Sequence, residues 1–270
     1  MITLFDAQTS DEVLLCVRRG DNVNAKIRVQ GRSKTPICIA AENNNVEVFY
    51  ALIEHGANFE ISNDFWGHDH PIVYAIKNGS THIVKEYLTN KNLLFDVNMT
   101  TIMNSLTRPL SLAIISQYID IIRLFIEFGA RLNYVDMAIG MCPLSLACDL
   151  NNRDIVQILF DNKVNPNFPE NTPPIFKVKS AEIFYLFFVH NANMNIKNRD
   201  GQTVLYNIVL RDIEFLKHVL ELNVVDISSI DKNGMTVMEY YISNNNRRRI
   251  PDPDYNEKLL LLKDYQIPNV

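Results

Sequence analysis

Proline, or valine in its place, recurs along this chain at Pro36, Pro71, Pro109, Pro143, Pro174, Val204 and Val237, at successive steps of 35, 38, 34, 31, 30 and 33 residues. A mark repeated at a nearly constant interval constrains a fold more than composition does, because each interval must close as a similar supersecondary unit. The segment 35–59, TPICIAAENNNVEVFYALIEHGANF, shows what one interval holds. Thr35 offers a hydroxyl to the first free helix amides, and Pro36 is preset for the first helical position. Ile37, Ile39, Ala40 and Ala41 then give a short helix with a small-residue face. Asn43, Asn44 and Asn45 favour a turn, since their side chains compete for backbone hydrogen bonds. Val46, Phe49, Tyr50 and Ile53 follow at i, i+3, i+4 and i+7, the expected buried face of a second helix. Gly56 stands where a left-handed C-terminal cap is needed. Helices this short are unstable in isolation, so each unit requires neighbours like itself.

This pattern resembles the ankyrin repeat, which runs Thr-Pro-Leu-His-x-Ala and closes on Gly-Ala-Asp/Asn with a period near 33. The resemblance rests on Thr35-Pro36-Ile37 with Ala40-Ala41, on Pro109-Leu110-Ser111-Leu112-Ala113 and on Pro143-Leu144-Ser145-Leu146-Ala147. Unit ends match at Gly56-Ala57-Asn58, Gly129-Ala130-Arg131 and Asn191-Ala192-Asn193, and hairpin lead-ins at 198–203 and 231–236. It covers nearly the whole chain. It implies an all-α ankyrin-like repeat solenoid of seven to eight helix-turn-helix units with short β-hairpin loops, in a single domain 1–270. Residues 1–24 are expected to form an N-terminal capping unit, with Val13, Leu14 and Val17 inward on the helix 11–19. Residues 25–227 hold the internal repeats. Residues 228–270 form a C-terminal capping repeat, with 244–256 inserted as a mobile loop. The sixth unit, 168–195, is compressed: a first helix at 174–179 runs almost directly into 181–189. In the fifth unit Lys163 replaces the usual final glycine.

Hydrophobic residues make up 47% of the chain, enough for a continuous core. Cys38, Cys142 and Cys148 fall in or beside first helices, and no CxxC pair occurs, so the cysteines read as reduced core residues of an intracellular, cytoplasmic protein. No apolar run follows a basic start, so no signal peptide is expected. The longest apolar run, 183–189, is far too short to cross a bilayer. A net charge of −5 argues against nucleic acid as the main partner, because phosphate binding wants a basic face. GxSxG, GxxxxGK[ST], GxGxxG and HExxH are all absent; no catalytic residue and no cofactor is expected, and the chain is not read as an enzyme. His68-Asp69-His70 is the best metal candidate. No further ligand lies at a supporting spacing, and His70 takes the helix-cap position before Pro71, so no metal is expected. Arg247-Arg248-Arg249, flanked by Asp252, Asp254 and Glu257, reads as a solvated loop.

In ankyrin-like stacks the hairpin tips and the inner faces of the first helices form a concave surface that the core does not use. The resemblance assigns to it Arg32, Lys34, Glu42 and Asn43 in the second unit, and Phe65, Trp66, His68, Lys77 and Asn78 in the third. Ile115 and Ser116 follow in the fourth unit, then Ile139, Met141, Asp149 and Leu150 in the fifth. Arg199, Gln202 and Arg211 are assigned in the seventh, and Lys232 and Met235 in the eighth. Phe65 and Trp66 stand out, because two adjacent aromatics at a polar tip have no core duty and tryptophan is enriched in binding hot spots. The expected function is a non-catalytic protein–protein interaction scaffold or adaptor, monomeric alone, with a protein partner. The alternatives are a substrate-positioning accessory of an enzyme and a host-directed effector or inhibitor. The asparagine- and isoleucine-rich character resembles ankyrin-only chains of protists, large viruses and intracellular bacteria.

Overall fold

The computed structural model describes residues 2–29, 32–58, 70–90, 95–99, 107–247 and 250–266. It falls into two compact units, Met1–Arg131 with Val135–Pro143, and Leu132–Tyr134 with Leu144–Val270. Both are built from paired short helices, the all-α repeat solenoid expected from the period.

In the first unit α1 (Ser10–Arg18) is followed by a two-stranded antiparallel hairpin, β1 (Ile27–Val29) and β2 (Arg32–Lys34), with Ile27 opposite Lys34. Three helix pairs come next: α2 (Pro36–Glu42) with α3 (Val46–Glu54), α4 (Pro71–Lys77) with α5 (Thr81–Thr89), and α6 (Pro109–Ser116) with α7 (Ile119–Glu127). α2 packs on α3 and on α4, and α4 packs on α5 and α6, so each first helix is buried by the next. The turns work as the asparagines require. Asn44 takes φ 53°, and Asn45 Oδ1 accepts from the Val48 amide at 3.0 Å to cap α3. At the other end Gly56, at φ 85°, lets its own amide reach the Ile53 carbonyl (3.0 Å) and the Ala57 amide reach that of Leu52 (2.8 Å). Both orphan carbonyls are thereby satisfied.

Three details depart from the sequence reading. Thr35 does not cap α2 with its hydroxyl, which instead lies 3.2 Å from Cys38 Sγ. The buried face of α3 is Val48, Phe49, Ala51 and Leu52; Val46, Tyr50 and Ile53 are only half-buried. In α1 the buried residues are Val13 and Cys16, with Leu14 and Val17 at the margin. Both helices carry apolar residues on most sides, so periodicity alone fits two rotations, and packing selects one.

The second unit holds most of α8 (Pro143–Asp149), then α9 (Arg153–Asp161), a single 3-10 turn (Pro174–Lys177), α10 (Ala181–Val189), α11 (Leu205–Ile208), α12 (Ile213–Glu221), α13 (Val237–Arg247) and α14 (Tyr255–Gln266). α9 packs on α10, α10 on α12, α12 on α14, and α11 on α13. Lys163 makes the glycine-type cap without glycine: it sits at φ 62°, with the Val164 amide 3.1 Å from the Leu159 carbonyl. Asp212 caps α12, its carboxylate accepting from the Phe215 amide at 2.8 Å. The expected loop 244–256 is corrected in part. α13 continues through Arg247, and residues 250–254 are held by Asp252, which is buried. Arg248 and Arg249 lie outside the described residues. The expected hairpins appear, among the described residues, as β1–β2 and one isolated bridge, Ile230 to Thr236.

A ladder of asparagines fastens successive turns. Asn24 donates to the Gly56 carbonyl (3.1 Å) and accepts from the Asn58 amide (2.7 Å). Asn98 repeats this with Gly129 and Arg131, and Asn195 with Val224 and Asp226. Asn133 and Asn167 accept from the amides of Asn165 and Asn193. A carboxamide carries its donor and its acceptor on separate atoms of one short stem, which is what an unpaired carbonyl beside an unpaired amide needs.

Glycine caps differ in what surrounds them. A Cβ at Gly79 (φ 74°) would stand 2.5 Å from the Tyr118 ring, whereas one at Gly129 (φ 85°) would meet nothing within 4 Å. Gly129→Ala should therefore cost only the left-handed backbone penalty, about 1–2 kcal/mol. Gly79→Ala should cost measurably more, because Tyr118 must also swing away. Urea unfolding of the two variants side by side checks the order.

Candidate functional site

The C-terminal ends of the first helices come out of the core at one repeated place. Asn43 and Asn78 are exposed there, and Leu150, at the same place, keeps 36% of its surface in water; Ile115, 43% exposed, stands one place earlier, with Glu42, Lys77 and Asp149. The Asn78 side chain donates back to the Tyr74 carbonyl in α4 at 2.9 Å.

Other assigned residues are engaged within the fold. Lys34 Nζ lies 2.5 Å from Glu42 Oε2 and 4.8 Å from the centre of the Tyr74 ring. The pair thus ties the hairpin to the end of α2 and to α4, leaving Lys34 little exposed surface. Lys77 is half-buried at the end of α4. Ile139 and Met141 are half-buried in a tight loop, where the Asp136 amide reaches the Met141 carbonyl at 3.0 Å. The buried Asp136 carboxylate anchors that loop by accepting from the amides of Arg108 (2.8 Å) and Ala138 (3.1 Å). Met137, on the same loop and 74% exposed, is the residue that sequence reasoning missed. Arg32 pairs through its backbone with Val29; its side chain, like the whole of Phe65, Trp66 and His68, lies outside the described residues.

In the second unit Asp149 Oδ1 is 3.1 Å from Lys179 Nζ. Arg199 borders an open cleft of about 270 Å³ that is also lined by Phe176, Lys177, Asp200 and three asparagines. Gln202 is half-buried, its amide bonded to Asn198 Oδ1 at 3.0 Å. Arg211 gives its carbonyl to Lys258, and its Nε is buried with no partner among the described residues. In the eighth unit Asp231 organises the tip that carries Lys232 and Met235. Burial pushes its carboxyl pKa up, but bonds from the amides of Met235 and Asn233 and from the side chains of Asn233 and Gln202 outweigh it, so the net shift is downward. Tyr206, whose hydroxyl donates to the carbonyls of Ser229 (2.8 Å) and Met235 (2.7 Å), has its pKa pushed up to about 12, mainly by burial.

A second cleft, of about 360 Å³, lies on the outer side of α5 and α7 in the first unit, where His82, Lys85 and Arg123 alternate with Asp120 and Glu127. Charges of both signs at helical spacing describe a solvated helix face. Among the described residues no group of three or more His, Cys, Asp or Glu side chains is placed to hold a metal ion, and no helix is long and apolar enough to cross a membrane. All four cysteines are free and buried.

A family model of ankyrin repeats, three copies long, matches residues 10–101 and 72–170, more than half of the chain. The chain belongs to the ankyrin-repeat family. Ankyrin repeats in general serve as protein–protein interaction modules, and the fold is typically non-catalytic. Two viral ankyrin repeat proteins are similar in sequence. One from Fowlpox virus (strain NVSL) is 29% identical over 143 residues, 48% of this chain and 41% of its own length. One from Acanthamoeba polyphaga mimivirus is 25% identical over 207 residues, 74% of this chain and 24% of its own length. The ankyrin chain thus spans less than half the length of these relatives. Among solved structures, the human ASB11 ankyrin repeat domain superposes with a TM-score of 0.66 at 16% identity, covering 85% of this chain and 98% of that one. That likeness concerns the fold alone.

Proposed function

We propose that this ankyrin chain is a non-catalytic protein-binding scaffold that engages its partner through the first-helix ends and loop tips of each unit. In the first unit this surface comprises Asn43, Asn78, Ile115, Ile139 and Met141, with the Lys34–Glu42 pair and Lys77 framing it. In the second it comprises Asp149, Leu150, Arg199 and Gln202, with Arg211 held behind the surface. Phe65, Trp66, His68 and Arg32 belong to the same proposal on the repeat pattern alone. The observation that carries it is the pair Ile115 and Leu150, exposed aliphatics at two adjacent places of the repeat where Glu42 and Lys77, and Asn43 and Asn78, show that polar residues serve the fold equally well. Short helices packed on both sides hold these side chains with little ordering cost, so affinity can come from a few anchors. The viral relatives favour a host-directed adaptor or inhibitor as the setting.

The test uses Ile115→Glu and Leu150→Glu in the full chain. Each should leave thermal unfolding unchanged within about 0.5 kcal/mol, as expected of surface positions. Each should also reduce capture of the partner, measured by quantitative affinity capture, by at least tenfold. Undiminished capture by the double variant would remove the proposal.

A further inference from the structure

The cleft beside Arg199 owes its existence to one irregular unit. In three other repeats the residue two places after the helix-opening proline is small and buried, namely Cys38, Ser111 and Ser145. Here it is Phe176, and the helix around it shrinks to the 3-10 turn Pro174–Lys177. Tyr206, two places after Val204, shows that a ring can be buried at the matching place; here the single 3-10 turn shortens that wall instead. Phe176 is therefore left half-buried and lines the cleft of about 270 Å³. Lys177 and Arg199 also line it, both exposed, and among the described residues neither forms an ion pair. The lining carries one carboxylate, Asp200. Asn198 spends its Oδ1 on the amides of Asp200 (2.9 Å) and Gln202 (3.0 Å), which stiffens the wall; Asn171 and Asn207 add two further carboxamides.

An aromatic lining, two cations against one anion, and carboxamides able to bond a backbone are the parts a short extended peptide uses. The local excess of positive charge runs against the chain's net −5. From that charge complementarity we infer that this cleft takes a linear segment of a partner protein in which a leucine- or aromatic-sized side chain lies next to Asp or Glu. The apolar side chain packs on Phe176, and the carboxylate meets Lys177 and Arg199. This rests on the protein-binding role proposed above and names the chemistry of one part of that surface.

The probe is a phage-displayed library of random peptides twelve residues long, panned on the full chain, with enriched peptides then measured by fluorescence anisotropy. The expected result is enrichment of peptides pairing a large apolar residue with an adjacent acid. Phe176→Ser, which installs the residue found at the matching place in two other repeats, should weaken them at least tenfold. Lys177→Glu with Arg199→Glu should do the same, and binding should weaken as salt rises. Leu15→Glu, at a side chain 63% exposed on α1 and outside the proposed surface, should have no effect, and each variant's melting curve should match that of the parent. Enrichment of no peptide, enrichment of basic peptides, binding indifferent to Phe176→Ser, or displacement by a twelve-residue oligothymidylate would each overturn the assignment. A native partner lost on Ile115→Glu and Leu150→Glu but not on Phe176→Ser would keep the scaffold role and remove this peptide site.

Discussion

Lys258→Ala is expected to destabilise the C-terminal helices by about 3–5 kcal/mol, the usual cost of removing one member of a buried ion pair. Lys258 is 1% exposed, and its Nζ lies 2.9 Å from Asp252 Oδ2. The same ammonium donates to the Arg211 carbonyl and lies 5.8 Å from the centre of the Tyr241 ring. One cation thus joins α14 to the turn before α12 and to α13. Truncation would leave the Asp252 carboxylate buried without its counter-charge, and the Arg211 carbonyl without its donor. The double replacement Asp252→Leu with Lys258→Met should recover most of the loss, since an apolar pair of similar volume is often neutral against a buried ion pair. Urea unfolding gives the totals, and amide hydrogen exchange should show the loss concentrated in α13 and α14, because in a repeat stack each element answers to its neighbours.

The pH dependence has a definite sign. Burial pushes the Asp252 carboxyl pKa up, but hydrogen bonds from Lys258 and the Asp254 amide outweigh it, and the net shift is downward. A depressed carboxylate adds stability above its unfolded value, about 3.9, and loses it as pH falls through the folded value. The advantage of the parent over Lys258→Ala should therefore be full at neutral pH and shrink below about pH 4. In the variant a protonated Asp252 no longer needs a cation.

The period, the helix pairs and the glycine caps were legible because each depends on a local rule: proline at the first helical position, asparagine in the turn, a residue able to take positive φ at the end. His70, expected as the cap before Pro71, follows the same logic: its Nδ1 accepts from the Ile72 amide at 3.2 Å. Features set by non-local pairing were not legible. Nothing in the run from Asn244 to Asn256 says that Asp252 will meet Lys258 over the Arg211 carbonyl, so a polar stretch read as a loop. The asparagine ladder is similar: each residue looks like an ordinary turn asparagine until a carbonyl and an amide about thirty residues away are placed against it. For the surface, the repeat gave the positions but not their occupation. Lys34 and Glu42 neutralise each other, Asp149 meets Lys179, and Phe176 had no signal beyond being large where serine or cysteine stands in three other repeats.

The segment 183–189, IFYLFFV, lies in the helix expected at 181–189, but its sequence does not orient it, and Phe187→Ala against Phe188→Ala is the sharpest test of the fold. The two phenylalanines are chemically identical neighbours, and a run this apolar offers no polar face by which to orient the helix. α10 nevertheless has an inner and an outer side: Ile183, Phe184, Leu186 and Phe187 are buried, while Tyr185, Phe188 and Val189 remain exposed. Phe187 is fully buried, its ring perpendicular to that of Phe160 at 5.1 Å, and Phe160 in turn lies parallel to the His190 ring at 4.4 Å. Emptying that position should cost about 3–5 kcal/mol, since the neighbours on α9 cannot collapse into the space without leaving their own contacts. Phe188 is 38% exposed and touches mainly Tyr185, at 6.0 Å between ring centres, so its truncation should stay within about 0.5 kcal/mol. Urea unfolding of the two alanine variants should separate their midpoints clearly. Equal losses, or the reverse order, would mean that α10 is rotated about its axis. The compressed sixth unit, and the cleft that its shortened first helix opens, would then have to be rebuilt from a different face.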